Sequence, residues 1–252
     1  MLVTARRFAV LSLALTAVGA AGAVPAAQAD STASLTASMT SRGPVVGGMR
    51  PVNLLVNAQI SDPAGPGFVP IPERFTFRFP KLRLNTAKFP VCTANDNQLV
   101  KDGAAACPAA SRVGVGSARV WALRTLGIDA DVYIYNGRKT AKGRELLLLT
   151  ITRTVEQSLA LRGLLKPLKG GKYGWRLSFG VPEIPVIDNE LAALQLFNIK
   201  LGAQRRVRGK RLSYVEAPKS CPKAGLPVTF EELVRTTGAT LPAAATIACP
   251  AR

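Results

Sequence analysis

The stretch Arg74-Phe75-Thr76-Phe77-Arg78-Phe79 decides the fold class. Phenylalanine recurs at every second position, and two arginines and a threonine fill the positions between. Successive side chains of an extended chain point to opposite faces, so this is a strand with one aromatic face to bury and one polar face to leave in water. Pro80 ends it, because proline has no N–H to give to a ladder.

The same period of two runs outward in both directions. Val52, Leu54, Val56, Ala58 and Ile60 alternate with Asn53, Asn57 and Gln59, broken at Leu55, and Ser61-Asp62-Pro63 supplies turn chemistry. Ile128, Ala130, Val132 and Ile134 alternate with Asp129, Asp131, Tyr133 and Tyr135. Asn136-Gly137 then reads as a turn, and residues 145–154 follow as a strand apolar on both faces, which implies a central position. Further strands are expected at 34–39, 113–123, 158–165, 173–179, 192–201, 212–215, 227–235 and 240–248. Residues 192–201 also fit a helix, since Leu191, Leu194 and Ile199 would share one side; the surrounding β pattern favours a strand. Residues 95–101 read as one short helical turn. About a dozen short strands, with 18 prolines and 22 glycines between them, predict an all-β, β-sandwich-like domain over residues 30–252.

Residues 1–29 stand apart. Arg6 and Arg7 precede an apolar run over 8–18, and Ala27-Gln28-Ala29 is a small-residue cleavage site, so the segment reads as a secretory signal peptide. Phe8 directly follows the paired arginines, which fits the general secretory route better than the twin-arginine one. No later stretch is long and apolar enough for a membrane-spanning helix. The expected location is outside the cell, at the envelope or beyond it.

The chain has no histidine. That removes the Ser-His-Asp triad, the Cys-His dyad, HExxH zinc chemistry and any imidazole pH switch. It also leaves the four cysteines without a histidine co-ligand, and they contain no CxxC, so in an exported chain two disulfides are expected. Three pairings are open. Cys92 with Cys107 encloses a short polar segment and Cys221 with Cys249 encloses the last strands, which favours this sequential pairing. Loop-closure entropy assigns about 3 kcal/mol to the first bridge and about 3.6 kcal/mol to the second.

Phe79-Pro80, Leu84-Asn85-Thr86, Phe89-Pro90-Val91-Cys92, Ala106-Cys107-Pro108 and Ser111-Arg112-Val113-Gly114-Val115-Gly116-Ser117-Ala118 together resemble exported β-rich proteins of high-GC Gram-positive bacteria. The second half is similar through Val132-Tyr133-Ile134-Tyr135-Asn136-Gly137, Val181-Pro182 and Tyr214-Val215-Glu216-Ala217-Pro218 before Cys221. These are framework residues. The resemblance implies an exported sandwich-like fold and transfers no activity or catalytic residue.

Motifs that suggest chemistry fail on their own terms. Gly114-Val115-Gly116 has Arg119 where a dinucleotide loop needs its third glycine, so no cofactor is expected. Ser220-Cys221-Pro222-Lys223 matches SxxK, but Pro222 and a bridged Cys221 deny it the helix that motif requires. Asp129 and Asp131 project from one strand face just under about 7 Å apart and could serve a glycan-directed hydrolase only across a cleft. Glu231 and Glu232 are adjacent and point to opposite faces.

Charge remains. Without the signal segment the chain carries 31 basic and 15 acidic side chains, and residues 136–211 hold 16 of the basic and 5 of the acidic ones. Arg138, Lys139, Lys142 and Arg144 form one basic segment, Lys166, Lys169 and Lys172 a second, and Arg205, Arg206, Arg208, Lys210 and Arg211 a third. If their loops share an end of the domain they make an anion-binding surface. The expected partners are an anionic cell-wall polymer, an acidic glycan or lipid headgroups. Aromatics are scarce beside the third segment, which argues against a stacking groove for single-stranded nucleic acid. The sequence therefore predicts a non-enzymatic, envelope-associated binding protein, against a solvated basic surface with no single ligand.

Overall fold

A computed structural model describes residues 30–154, 157–184, 191–207 and 209–249. The expected signal peptide lies outside them, as does Arg208. The strands are β1 (Thr32–Ser41), β2 (Met49–Ser61), β3 (Pro72–Pro80), β4 (Arg83–Leu84), β5 (Arg112–Ala122), β6 (Leu126–Thr140), β7 (Gly143–Thr152), β8 (Ser158–Pro167), β9 (Tyr173–Gly180), β10 (Ala193–Leu201), β11 (Gln204–Val207), β12 (Lys210–Ser213), β13 (Val215–Pro218), β14 (Leu226–Val234) and β15 (Thr240–Ile247). The one α-helix among the described residues is α1 (Asp96–Asp102).

All but β11 and β12 join one antiparallel sheet in the order β15-β14-β3-β9-β8-β7-β6-β5-β10-β2-β13-β4, with β1 added on β2. The sheet curls until β1 lies beside β15, Cα atoms within 8 Å, though no ladder among the described residues joins them. Its two halves thus face each other across a common core, the sandwich-like arrangement that alternation requires when one face of every strand is apolar.

Phe75, Phe77 and Phe79 point inward and are buried, as their spacing predicts. Phe77 meets Phe230 at 5.0 Å and Phe79 at 6.0 Å between ring centroids, and Phe179 meets Phe197 at 5.7 Å. Aromatic contacts of this kind add about 0.5–1.5 kcal/mol each beyond the area they bury.

Residues 146–149 are apolar on both faces for a physical reason. Leu146 and Leu148 enter the main core, while Leu147 and Leu149 join Tyr135 in a second cluster under Ala94, Leu99 and the Cys92–Cys107 bridge. Helix α1 is held over that outer face. Asn95 and Gln98 cap it reciprocally, each backbone N–H donating to the other's side-chain oxygen at 2.9 Å. Arg162 on β8 then donates to Asp96 at 2.7 Å and to the Ala94 carbonyl at 2.9 Å. Both bridges have the sequential pairing, Cys92–Cys107 and Cys221–Cys249.

Two expectations need correction. Asn136-Gly137 is not a turn; β6 runs through it to Thr140, with a register shift between Asn136 and Lys139. Asn136 is fully buried and its amide donates to the carbonyls of Thr86, Phe89 and Pro90 at 3.0–3.1 Å. Gly137 is needed for close approach, because a Cβ there would sit 2.7 Å from that of Glu145. The expected strand over 212–215 divides at Tyr214 into β12 and β13, and β4 and β11 are additional. Residues 192–201 form strand β10.

Candidate functional site

Strand direction fixes where each basic segment emerges. In an antiparallel sheet the end of β6, the start of β7, the end of β8, the start of β9 and the end of β10 lie at one end. The first basic segment surrounds the β6–β7 turn and the second the β8–β9 turn. The third is the β11–β12 hairpin, between the end of β10 and β13, which pairs with the start of β2. All three therefore leave from the same end of the sheet, the end that also carries both disulfides.

Local contacts tie them together. The register sets Arg144 opposite Leu165, so Lys166 follows beside Gly143 and the first two segments are continuous. Residues 85–93 connect the first to the third: Arg138 donates to the Thr93 carbonyl at 2.9 Å, Arg205 to the Lys88 carbonyl at 3.4 Å and Asn85 to the Ser213 carbonyl at 2.7 Å. Below this rim Tyr214 is buried, edge-on to Phe89 at 5.2 Å, and burial pushes its phenol well above the usual range.

The predicted cations differ in availability. Lys139, Lys142, Lys169, Lys172, Arg206, Lys210 and Arg211 fall in exposed or rim positions, with the Lys172 ammonium 5.3 Å from the centre of the Tyr173 ring. Arg205, Arg206 and Arg211, with Arg42 and Gln204, line a depression of about 360 Å³. Arg206 and Arg211 are direct cross-strand partners, a like-charge juxtaposition that costs stability. Arg144 is turned inward instead: it donates to the Gly137 carbonyl at 3.1 Å, and its buried Nε has no hydrogen-bond partner. It supports the rim rather than lining it. The segments share an end, with Lys166 lining one groove there and Arg205, Arg206 and Arg211 another.

None of these predicted cations makes an ion pair among the described residues. Arg78, Arg83, Arg119 and Arg162 of the sheet do, and the carboxylate pair is consumed in the same way. Asp129 receives Arg119 in two hydrogen bonds at 2.8 and 2.9 Å, and Asp131 receives Arg153 at 2.5 Å, all on the outer face. The Arg119 guanidinium holds Asp129 below the usual carboxylate range, the wrong direction for a general acid. The two carboxylates do not face each other across a cleft. Glu231 pairs with Arg78 on the outside, whereas Glu232 is fully buried with no partner on either oxygen, and burial pushes its carboxyl up to about 8.

A surface depression of about 610 Å³ crosses the outer face of β1, β2, β10 and β5. Its polar lining is Thr36, Ser38, Asn57, Ser117, Asn198 and Lys200, and none of the predicted residues reaches it. Sequence reasoning weighted loops and passed over the outward cations Arg74, Arg78 and Arg176. Their signal was present as Arg74 and Arg78 on the polar face of one strand and Arg176 on another, but only the register shows that these strands are neighbours.

Among the described residues no helix is long and apolar enough to cross a membrane. Comparison with known proteins finds no matching family model, no similar curated protein and no similar solved structure.

Proposed function

We propose that the chain is an exported, non-enzymatic binding protein that stays at the cell envelope by holding an anionic surface polymer against the basic end of its sheet. The observation that carries this reading is the placement of all three basic segments at one end, without acidic partners among the described residues, in a protein whose sheet-face arginines are mostly paired. Convergent positive potential over a surface of this kind raises the local concentration of a polyanion and speeds its capture. Two disulfides suit an oxidising compartment. An anionic cell-wall polymer fits best; acidic glycans and lipid headgroups share its chemistry.

Retention on isolated cell wall tests the proposal. The protein is expected to bind at low salt and to elute as ionic strength rises and the Debye length falls below about 8 Å. Replacing Arg205, Arg206, Arg208, Lys210 and Arg211 by glutamine should lower the eluting salt concentration. Unchanged retention of that variant would remove the hairpin from the site.

A further inference from the structure

The outer face of β3, β9 and β8 gathers cations directly opposite one another. Four arginines of the outer surface each meet an acid: Arg119 meets Asp129, Arg153 meets Asp131, Arg162 meets Asp96 and Arg83 meets Glu216. Here the register sets Arg78 opposite Arg176 and Arg176 opposite Lys166, three cations in one row across three strands. One acid, Glu231, serves Arg78. Arg176 and Lys166 have no ion pair among the described residues, although like charges directly opposite each other destabilise a sheet.

Two residues further along the strands, Thr76 and Ser178 stand opposite each other with their hydroxyls 3.2 Å apart. Beyond them on β3 is Arg74, about 13 Å from Arg78 along the strand. Its cross-strand partner is Gly180, which has no side chain to block it. Among the described residues its one ion pair is with the adjacent Glu73, 3.7 Å away and exposed. The hydroxyl pair is thus flanked by Arg74 on one side and by Arg176 and Lys166 on the other. Arg74, Thr76, Leu164, Lys166, Arg176 and Ser178 line a groove of about 370 Å³, within the size of small-ligand sites.

We propose that this groove binds a tetrahedral oxyanion, a phosphate or sulfate group carried on the anionic polymer. The choice of a polymer-borne group rests on the function proposed above. Cations from two ends and hydroxyl donors from the floor match the three or four oxygens of a tetrahedral anion better than the two of a planar carboxylate. Binding also offsets the repulsion within the row. Lys166 belongs both to the groove and to the second basic segment, so the groove continues the basic end down the side of the sheet.

The test uses the full chain and three variants: Lys166→Gln with Arg176→Gln, Thr76→Val, and the hairpin variant Arg205→Gln, Arg206→Gln, Arg211→Gln. Inorganic phosphate, sulfate and acetate are titrated at constant ionic strength, followed by the backbone amide NMR shifts of Thr76 and Ser178. Phosphate and sulfate are expected to bind at least tenfold more tightly than acetate. At these two amides the double variant should lose at least tenfold in phosphate affinity and Thr76→Val several-fold; the hairpin variant enters only the cell-wall retention comparison. A poly(glycerol phosphate) oligomer and a dextran sulfate oligomer then separate phosphate from sulfate as the preferred source. Equal binding of acetate, or phosphate affinity unchanged in the double variant, overturns the groove. Loss of cell-wall retention in the hairpin variant alone would leave the proposed function standing without it. Phosphate binding that needs Lys166 and Arg176 in a protein that no cell wall retains would instead keep the groove and remove the envelope role.

Discussion

Glu232 is the residue whose neighbours least suit it. It extends from β14 into the core, opposite Phe75 on β3 and Leu241 on β15, and neither carboxyl oxygen has a partner. Desolvation of the charged form is why its carboxyl is pushed up to about 8. An unfolded chain releases that proton near the ordinary glutamate value of about 4.3, so between there and about pH 8 the folded state holds the extra proton. Its stabilising contribution is complete below the unfolded value and is lost as pH rises to about 8, at about 1.4 kcal/mol per pH unit. Urea denaturation at pH 5 and pH 8 should show this loss in the wild type and a smaller one in Glu232→Leu, with the variant gaining most at pH 8. A pH profile identical in both would contradict the assignment. The sequence showed that Glu231 and Glu232 face opposite ways, and Leu226, Val228, Phe230 and Val234 put Glu232 on the apolar face by the same period of two; what the sequence hid is that no partner meets it there.

At the scale of elements, the loop closed by Cys92–Cys107 works as a lid over the outer face of β6 and β7. It keeps Tyr135, Leu147 and Leu149 dry and holds α1 against Arg162. Replacing both cysteines by alanine should cost about 3 kcal/mol in the chain-entropy account and expose an apolar patch. Guanidinium denaturation reads the first effect and binding of a hydrophobic dye to the native state reads the second; a variant with unchanged stability and no dye binding would deny the lid its role. Most elements were legible because period-two alternation needs no tertiary knowledge, and the phenylalanines of β3 are the plainest case. The β6 boundary was not. Asn136-Gly137 has the composition of a tight turn, yet the buried Asn136 amide collects three carbonyls from residues 86–90, a contact some 46–50 positions distant in the chain. Long-range hydrogen bonding overrode local turn propensity there.

For the whole molecule, the sequence located an excess of charge and the sheet order gave it a direction. Residues 136–211 are strongly basic in the linear chain, but only antiparallel pairing puts the turns after β6 and β8 and the β11–β12 hairpin at one end. The same pairing explains what was not legible: Arg176 and Lys166 are ten residues apart in the chain and become cross-strand partners through the β8–β9 hairpin. Position, rather than total charge, is therefore the central claim. It is tested most directly by two variants of equal net charge measured for salt-dependent retention on isolated cell wall. One replaces Arg205, Arg206, Lys210 and Arg211 by glutamine at the basic end. The other places glutamate at the exposed Thr32, Thr125, Thr236 and Thr240 of the opposite end. The first is expected to elute at clearly lower salt than the wild type and the second close to it; equal shifts in both would show that net charge alone retains the protein and would contradict the account.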